Sequence, residues 1–499
     1  MDNIISKIIL RVKQWQFRQW TVLFIFGLFV ISNSAYLSSV PGLLGDEGDE
    51  GHNVYELLNK TKPAIQGERS YIGVWIDYLR IPFVFVFGYN IFSLRVIVFL
   101  FSITFFWFAY DVLLKIFGEI PGLFGLVTIA FSPIFWSEMR IGWAITLLPF
   151  FAILTIYLLR KKSYWSPLLA GLSAGFGLST HLLFLPVLMA ILGVLGVNWI
   201  IQVIHRFSFQ QIKQFFADAT FFLIGFWSIF CVQFVNLLIN NKDQGNIEKT
   251  ASLFSTRLGE LFSIAPRFLS GSLFIAQYTA KTFNDGAALI ITIILLLLII
   301  CGFIFSRHKY AIAGWLIGFC ASYVILIYMV EYYAIRYFII ITLGTWLMAG
   351  IGLGEIIGRL HKKIGYSLMI ILSIVLIVAN FSLIIFPFLT FGGSNDTFPI
   401  IGASRFEYAS GRVATAPLIN CVSSLDQIFS NNVHIRNRLY YLADGNPQIR
   451  NAERKQDVRW LISYRLPNDK ITPDEVCPYL NNFRVTPLRD QGSVDWPKD

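Results

Sequence analysis

Apolar residues run through this chain in long stretches separated by short polar breaks, from residue 20 to residue 386. A stretch of about 20 apolar residues crosses the hydrocarbon of a bilayer as a helix, and only helices or closed barrels satisfy their own backbone there. The pattern predicts eleven spans, at 20–38, 94–114, 121–137, 142–160, 165–180, 182–200, 218–239, 287–306, 311–330, 335–356 and 366–386. "GLSTHLLFLP" interrupts the nearly continuous run at 165–200. Beyond 387 the pattern changes. Residues 388–499 have ordinary soluble composition, and "VRWLISYR" alternates as a strand does. The expected fold class is an all-α polytopic membrane protein, residues 1–387, with amphipathic helices on its outer face and a small C-terminal soluble domain, 388–499, of mixed α and β structure.

Charge sets the sidedness. With the N-terminus cytoplasmic, the cytoplasmic connections carry Lys7, Arg11, Lys13 and Arg18, then Lys115, then Arg160, Lys161 and Lys162. Arg206 and Lys213 follow, then Arg307 and Lys309, then Arg359, Lys362 and Lys363. Each is basic, as the positive-inside rule requires. An odd number of spans leaves the C-terminal domain extracytoplasmic. The first outer loop, 39–93, and another at 240–285 join it there; the latter contains "STRLGELFSIAPRFLSG", which reads as a surface-lying amphipathic helix. The N-terminus, "MDNIISKIILRVKQWQFRQW", is basic and amphipathic, and "NSAYLSS" offers no clean cleavage site, so the first span reads as retained.

Composition agrees: 56% of residues are hydrophobic and 14% charged, against about a quarter charged in soluble domains. The net charge of +10 belongs to the cytoplasmic connections and not to nucleic-acid binding. Of five cysteines, Cys231, Cys301 and Cys320 fall in apolar runs as packing residues, while Cys421 and Cys477 are placed to form a disulfide in an oxidising compartment.

One stretch departs from the apolar pattern. "GDEGDEG", residues 45–51, follows the first span and holds Asp46, Glu47, Asp49 and Glu50. Other ionisable groups sit at outer span ends: Glu138 and Arg140 in "WSEMRIGW", His181 in "GLSTHLLFLP", and Glu331, Arg336 and Tyr337 in "MVEYYAIRYF". Singly, each has a bland explanation: an interface anchor, a packing histidine, a solvated acidic turn, or a calcium loop that lacks the full EF-hand pattern. Together they place carboxylates, a histidine and arginines at one interface, where ionisable groups are costly and mark function. That set suits displacement at a sugar carbon. A carboxylate takes the proton of an attacking hydroxyl, and arginines hold a departing phosphate. No P-loop, GxGxxG after a strand or HExxH is present, so the substrate must come with the membrane or from outside.

"DEGHNVYELLNK" after a long apolar span resembles the first outer loop of the GT-C glycosyltransferases, in the branch of the protein O-mannosyltransferases and lipid A aminoarabinose transferases. "YIGVWIDYLRIPFVFVFGYNIFSLRV" is similar to that branch's next stretch, an aromatic-rich helix leading to Phe87-Gly88 and then Arg95. "GLSTHLLFLP" and "IRYFIIITLGTWLMAGIGL" also resemble stretches of the branch, and the likeness covers residues 20 to 356. It implies an inverting transfer from a polyprenyl-phosphate sugar. The base lies in the acidic loop: Asp49-Glu50 aligns best, and Asp46-Glu47 is the second candidate. It further implies donor-phosphate or acceptor contacts at Glu138, Arg140, His181, Arg336, Tyr337 and Arg95, with no cofactor and no metal, although clustered carboxylates could hold a divalent ion. Implied partners are the lipid-linked donor, a lipid, glycan or protein acceptor and membrane lipids, in a bacterial plasma membrane. Two departures bear on the acceptor: Pro63 and Pro82 stand where the branch has a proline-rich run, and the tail is longer than in the shortest members. The alternative from another class is a transporter or flippase of a lipid-linked glycan, against which no paired broken helices recur in two halves.

Overall fold

The computed structural model describes residues 17–43, 45–61, 72–161, 163–205, 209–239, 265–276, 285–306, 339–359, 362–391 and most of 416–488. The expected span at 311–330, most of the expected surface helix in the 240–285 loop, and Glu331, Arg336 and Tyr337 lie outside these residues.

The first span forms α1, Phe17–Ser34. The acidic stretch opens α2, Gly45–Leu58. The helix ends where Lys60 takes a left-handed φ of 58°. α3, Trp75–Phe87, stops at Gly88, whose φ of 76° an L side chain would resist. α4, Ile91–Phe117, starts from a capping box in which the Asn90 side chain accepts from the Ser93 N–H. The loop between the first two expected spans therefore carries two helices.

The stretch expected as one span at 121–137 is two helices, α5, Glu119–Ala130, and α6, Pro133–Glu138. Ser132 caps α6 by accepting from the Phe135 N–H at 3.2 Å, and Pro133 fills its first position, so the Ser-Pro pair starts a new helix. After a 3-10 turn at Ala144–Leu147 comes α7, Leu148–Leu159. α8, Ser166–Thr180, and α9, Phe184–His205, are separated at "HLL", inside the interruption seen in the sequence. α10, Phe209–Ile239, packs along α8. Next come α11, Ser272–Ala276, α12, Asp285–Phe305, α13, Ile339–Ile357, and α14, Lys362–Asn380. α14 continues through a π-helical turn, Phe381–Ile385, into α15, Phe386–Phe391.

Among the described residues, five segments are long and apolar enough to cross a membrane: α4, α10, α12, α13 and Lys362–Thr390. With the shorter apolar helices beside them, they make this an integral, polytopic membrane protein. Phe29 of α1 sits at the centre of the core, its ring 4.9 Å from Phe106 and 5.5 Å from Phe135. The Thr128 hydroxyl ties α5 to α13 by donating to the Trp346 carbonyl at 3.0 Å. At the opposite end of α1 from the acidic loop, Arg18 and Lys362 each lie 3.5 Å from Glu119, and the Tyr366 hydroxyl donates to the same carboxylate.

The C-terminal part has α16, Ala416–Val422, and a three-stranded sheet in the order β1, Ile428–Phe429, β2, Trp460–Tyr464, and β3, Phe483–Pro487. β1 pairs parallel with β2, and β2 antiparallel with β3, Ile462 facing Val485. A disulfide joins Cys421 to Cys477. Leu43 and Leu94 complete this sheet's buried core, so it is built against the acidic loop and the start of α4.

Candidate functional site

Helix α2 presents its acids on two sides. Glu47 and Glu50 stand one turn apart, and both are buried. Glu47 meets Arg95 in a bidentate pair, with Nε donating to Oε1 and Nη2 to Oε2, both at 2.7 Å. The remaining Arg95 donors go to the carbonyls of Leu37, Pro41 and Gly42 at 2.9–3.0 Å. All five N–H groups of Arg95 are therefore satisfied within the protein. Glu47 also accepts from the Gly142 N–H at 2.7 Å. A side chain at 142 would put its Cβ 2.7 Å from the Leu94 carbonyl oxygen and 2.9 Å from Glu47 Oε1, so only glycine permits this approach.

Glu50 makes a parallel arrangement one turn on. It pairs with Arg80 and accepts from the Ala144 N–H at 3.0 Å. Arg80 also donates to Asp77 at 2.9 Å and to the Gly142 carbonyl at 2.9 Å. Two carboxylates thus share one guanidinium in a fully buried place. Burial pushes the Glu50 carboxyl above the ordinary carboxylate value, and the pull of Arg80 does not cancel it. Asp77 and Arg80 were not among the residues expected from sequence, although two charges three apart in the apolar "WIDYLRIPFVF" are a legible signal.

Both clamps end on the segment 142–144, which follows Glu138 and Arg140. Arg140 is buried and donates to the carbonyls of Asn33, Ala35 and Val40 at 3.0–3.4 Å, tying the C-terminal end of α1 to the residues that follow it. Its guanidinium lies 5.5 Å from the Trp136 ring centroid. Glu138 is fully buried and accepts from the Ser137 hydroxyl at 3.4 Å. His181 ends α8, buried, and its Nδ1 accepts from the Leu183 N–H at 3.1 Å, which places the proton of the neutral ring on Nε2. A Cβ on Gly73, just before α3, would touch the Ser179 carbonyl, so the His181 turn borders the same group of elements.

Glu47, Glu50, Arg95 and the 138–144 segment are therefore brought together, and His181 lies on the neighbouring turn. Asp49 lies half-buried on α2 between the two clamped glutamates. Asp46 opens the helix one turn before Asp49, and its side chain is outside the description, as are Arg336 and Tyr337. Among the described residues, no three His, Cys, Asp or Glu side chains converge as metal ligands would. The arrangement is a rigid acidic helix end, desolvated on one side, able to hold a carboxylate for proton transfer.

No protein-family model matches the chain, and no curated protein sequence matches it. Among solved structures it is similar to ArnT from Cupriavidus metallidurans bound to undecaprenyl phosphate, at 12% identity and a TM-score of 0.44 over 71% of this chain and 63% of that one. The apo form of the same protein aligns at 13% identity and 0.45, over 69% and 60%. The Archaeoglobus fulgidus oligosaccharyltransferase in complex with zinc and sulfate aligns at 12% identity and 0.48, over 88% and 68%. The chain thus spans less than two thirds of either ArnT chain.

Proposed function

We propose that this protein is a membrane glycosyltransferase that moves a monosaccharide from a polyprenyl-phosphate donor to an acceptor hydroxyl at the outer membrane face, with inversion. One observation carries the reading: an acidic helix is clamped by two buried Glu–Arg pairs, to the start of the span α4 through Arg95 and to the loop helix α3 through Arg80, with Asp49 between the clamps. A general base carried on such an anchored helix gains from fixed geometry. The ordered motifs that resemble GT-C enzymes support the same reaction class.

In the reaction, the Asp49 carboxylate takes the proton of the acceptor hydroxyl as its oxygen bonds to the anomeric carbon. The bond from that carbon to the phosphate oxygen breaks, and its electron pair leaves with polyprenyl phosphate. Asp46 is the alternative base. Glu47 and Glu50 act as positioning groups through Arg95 and Arg80, and Arg140 holds the outer end of α1. Arg336, Tyr337 and the His181 Nε2–H are assigned to the phosphate or the acceptor, and Glu138 to the acceptor side. The basic connections and the Cys421–Cys477 disulfide support an extracytoplasmic site in a bacterial plasma membrane with the N-terminus inside.

The test is a proteoliposome assay with a polyprenyl-phosphate sugar labelled in the sugar. Transfer of label to an acceptor with release of polyprenyl phosphate supports the enzyme. Intact donor that changes leaflet without cleavage refutes it and identifies a transporter.

A further inference from the structure

The C-terminal domain reaches into the acidic helix through one side chain. Tyr441 is fully buried, and its ring packs against the backbone of α2 at Gly51. A Cβ at 51 would stand 2.5 Å from Cδ2 and 2.6 Å from Cε2 of that ring, so the contact exists only because residue 51 is glycine. Gly51 directly follows Glu50 and is two residues from Asp49. The Tyr441 hydroxyl donates to the Asn90 carbonyl at 2.9 Å and stands 3.1 Å from the Ser93 hydroxyl. Asn90 and Ser93 form the capping box of α4, two residues before Arg95, which holds Glu47. The ring also meets Tyr89 edge-on at 6.0 Å, and Tyr89 meets Tyr55 of α2 at 5.7 Å.

One side chain from the far end of the chain therefore touches α2 and the start of α4, the two elements that the Glu47–Arg95 pair joins. We infer that Tyr441 is a positioning residue for the acidic helix: its ring seats α2 at Gly51, and the C-terminal domain thereby sets where the Asp49 carboxylate points. The catalytic consequence rests on the glycosyltransferase reading; the mechanical one does not.

The test compares Tyr441→Ala, Tyr441→Phe, Gly51→Ala and the double variant Gly51→Ala/Tyr441→Ala, in the full chain in native lipid. Amide hydrogen exchange is read over residues 45–58, with exchange in β2 and β3 as the check that the domain remains folded. Tyr441→Ala is expected to speed exchange in α2 about tenfold. Tyr441→Phe, which keeps the ring, stays at the wild-type rate. Gly51→Ala loosens α2 when Tyr441 is present and adds nothing to Tyr441→Ala, because the collision has gone. With the labelled donor, Tyr441→Ala lowers kcat by about a hundredfold at unchanged donor KM, as a misplaced base does. Unchanged α2 exchange in Tyr441→Ala, or equal Gly51→Ala effects in both backgrounds, overturns the inference. If the exchange pattern is as expected but wild type turns over no donor, the seating of α2 stands and only the assigned reaction fails.

Discussion

Arg95 and Glu47 show how a pair of charges can be wholly structural and still serve a site. Neither reaches water, both Glu47 carboxylate oxygens accept hydrogen bonds from the protein, and every Arg95 N–H has a protein partner. Removing one partner strands the other, so Arg95→Met is expected to cost about 3–5 kcal/mol of stability. Pairing it with Glu47→Gln should recover part of that loss, read as apparent Tm in detergent. Glu50 adds a pH dependence. Its folded-state carboxyl binds protons more tightly than the ordinary value of 4.5, so its contribution is complete below that value and lost as pH rises through the raised one. Stability should therefore fall on the alkaline side of the ordinary carboxylate range, and Glu50→Gln, which cannot titrate, should flatten that limb in pH-dependent melting. The acids themselves were visible in "GDEGDEG"; their division into clamped glutamates and a half-buried aspartate was not. That division depends on which acceptors and donors the distant 142–144 segment presents.

Helices were legible wherever the apolar period was long, because a bilayer leaves the backbone few alternatives. The break at Ser132-Pro133 was also written in the chain, but an apolar run on either side concealed a capping signal that a soluble segment would have displayed. The strand β2 followed from the alternation in "VRWLISYR", whereas its partners depended on long-range pairing. At this scale Gly142→Ala is a sensitive probe. Its new methyl meets a backbone carbonyl and a buried carboxylate, neither able to retreat, so a cost of about 1–3 kcal/mol is expected, together with reduced turnover. The disulfide closes a separation of 56 residues, and replacing both Cys421 and Cys477 by serine should destabilise the C-terminal domain by about 4 kcal/mol in the chain-entropy description. Differential melting of the domain with and without reductant checks the size of the effect.

Over the whole molecule, charge separates the two ends. The expected outer connections gather with the C-terminal sheet at the acidic end, while Arg18, Glu119 and Lys362 meet at the other. In a background lacking Cys231, Cys301 and Cys320, a cysteine at the exposed position 471 (Ile471→Cys) should react with an impermeant maleimide in intact cells; Lys161→Cys should react only after permeabilisation. The docking of the C-terminal domain on the acidic loop was beyond sequence reading, since Leu43, Leu94 and Tyr441 carry no local sign of one another. In the proposed reaction Asp49 is the base of a transfer from a polyprenyl-phosphate sugar. The most direct test is single-turnover release of polyprenyl phosphate by purified protein in native lipid, for wild type, Asp49→Asn and Asp46→Asn. Wild type and Asp46→Asn are expected to release polyprenyl phosphate, with a loss of at least about a hundredfold in Asp49→Asn. Equal behaviour of all three proteins, or loss confined to Asp46→Asn, would contradict that role for Asp49.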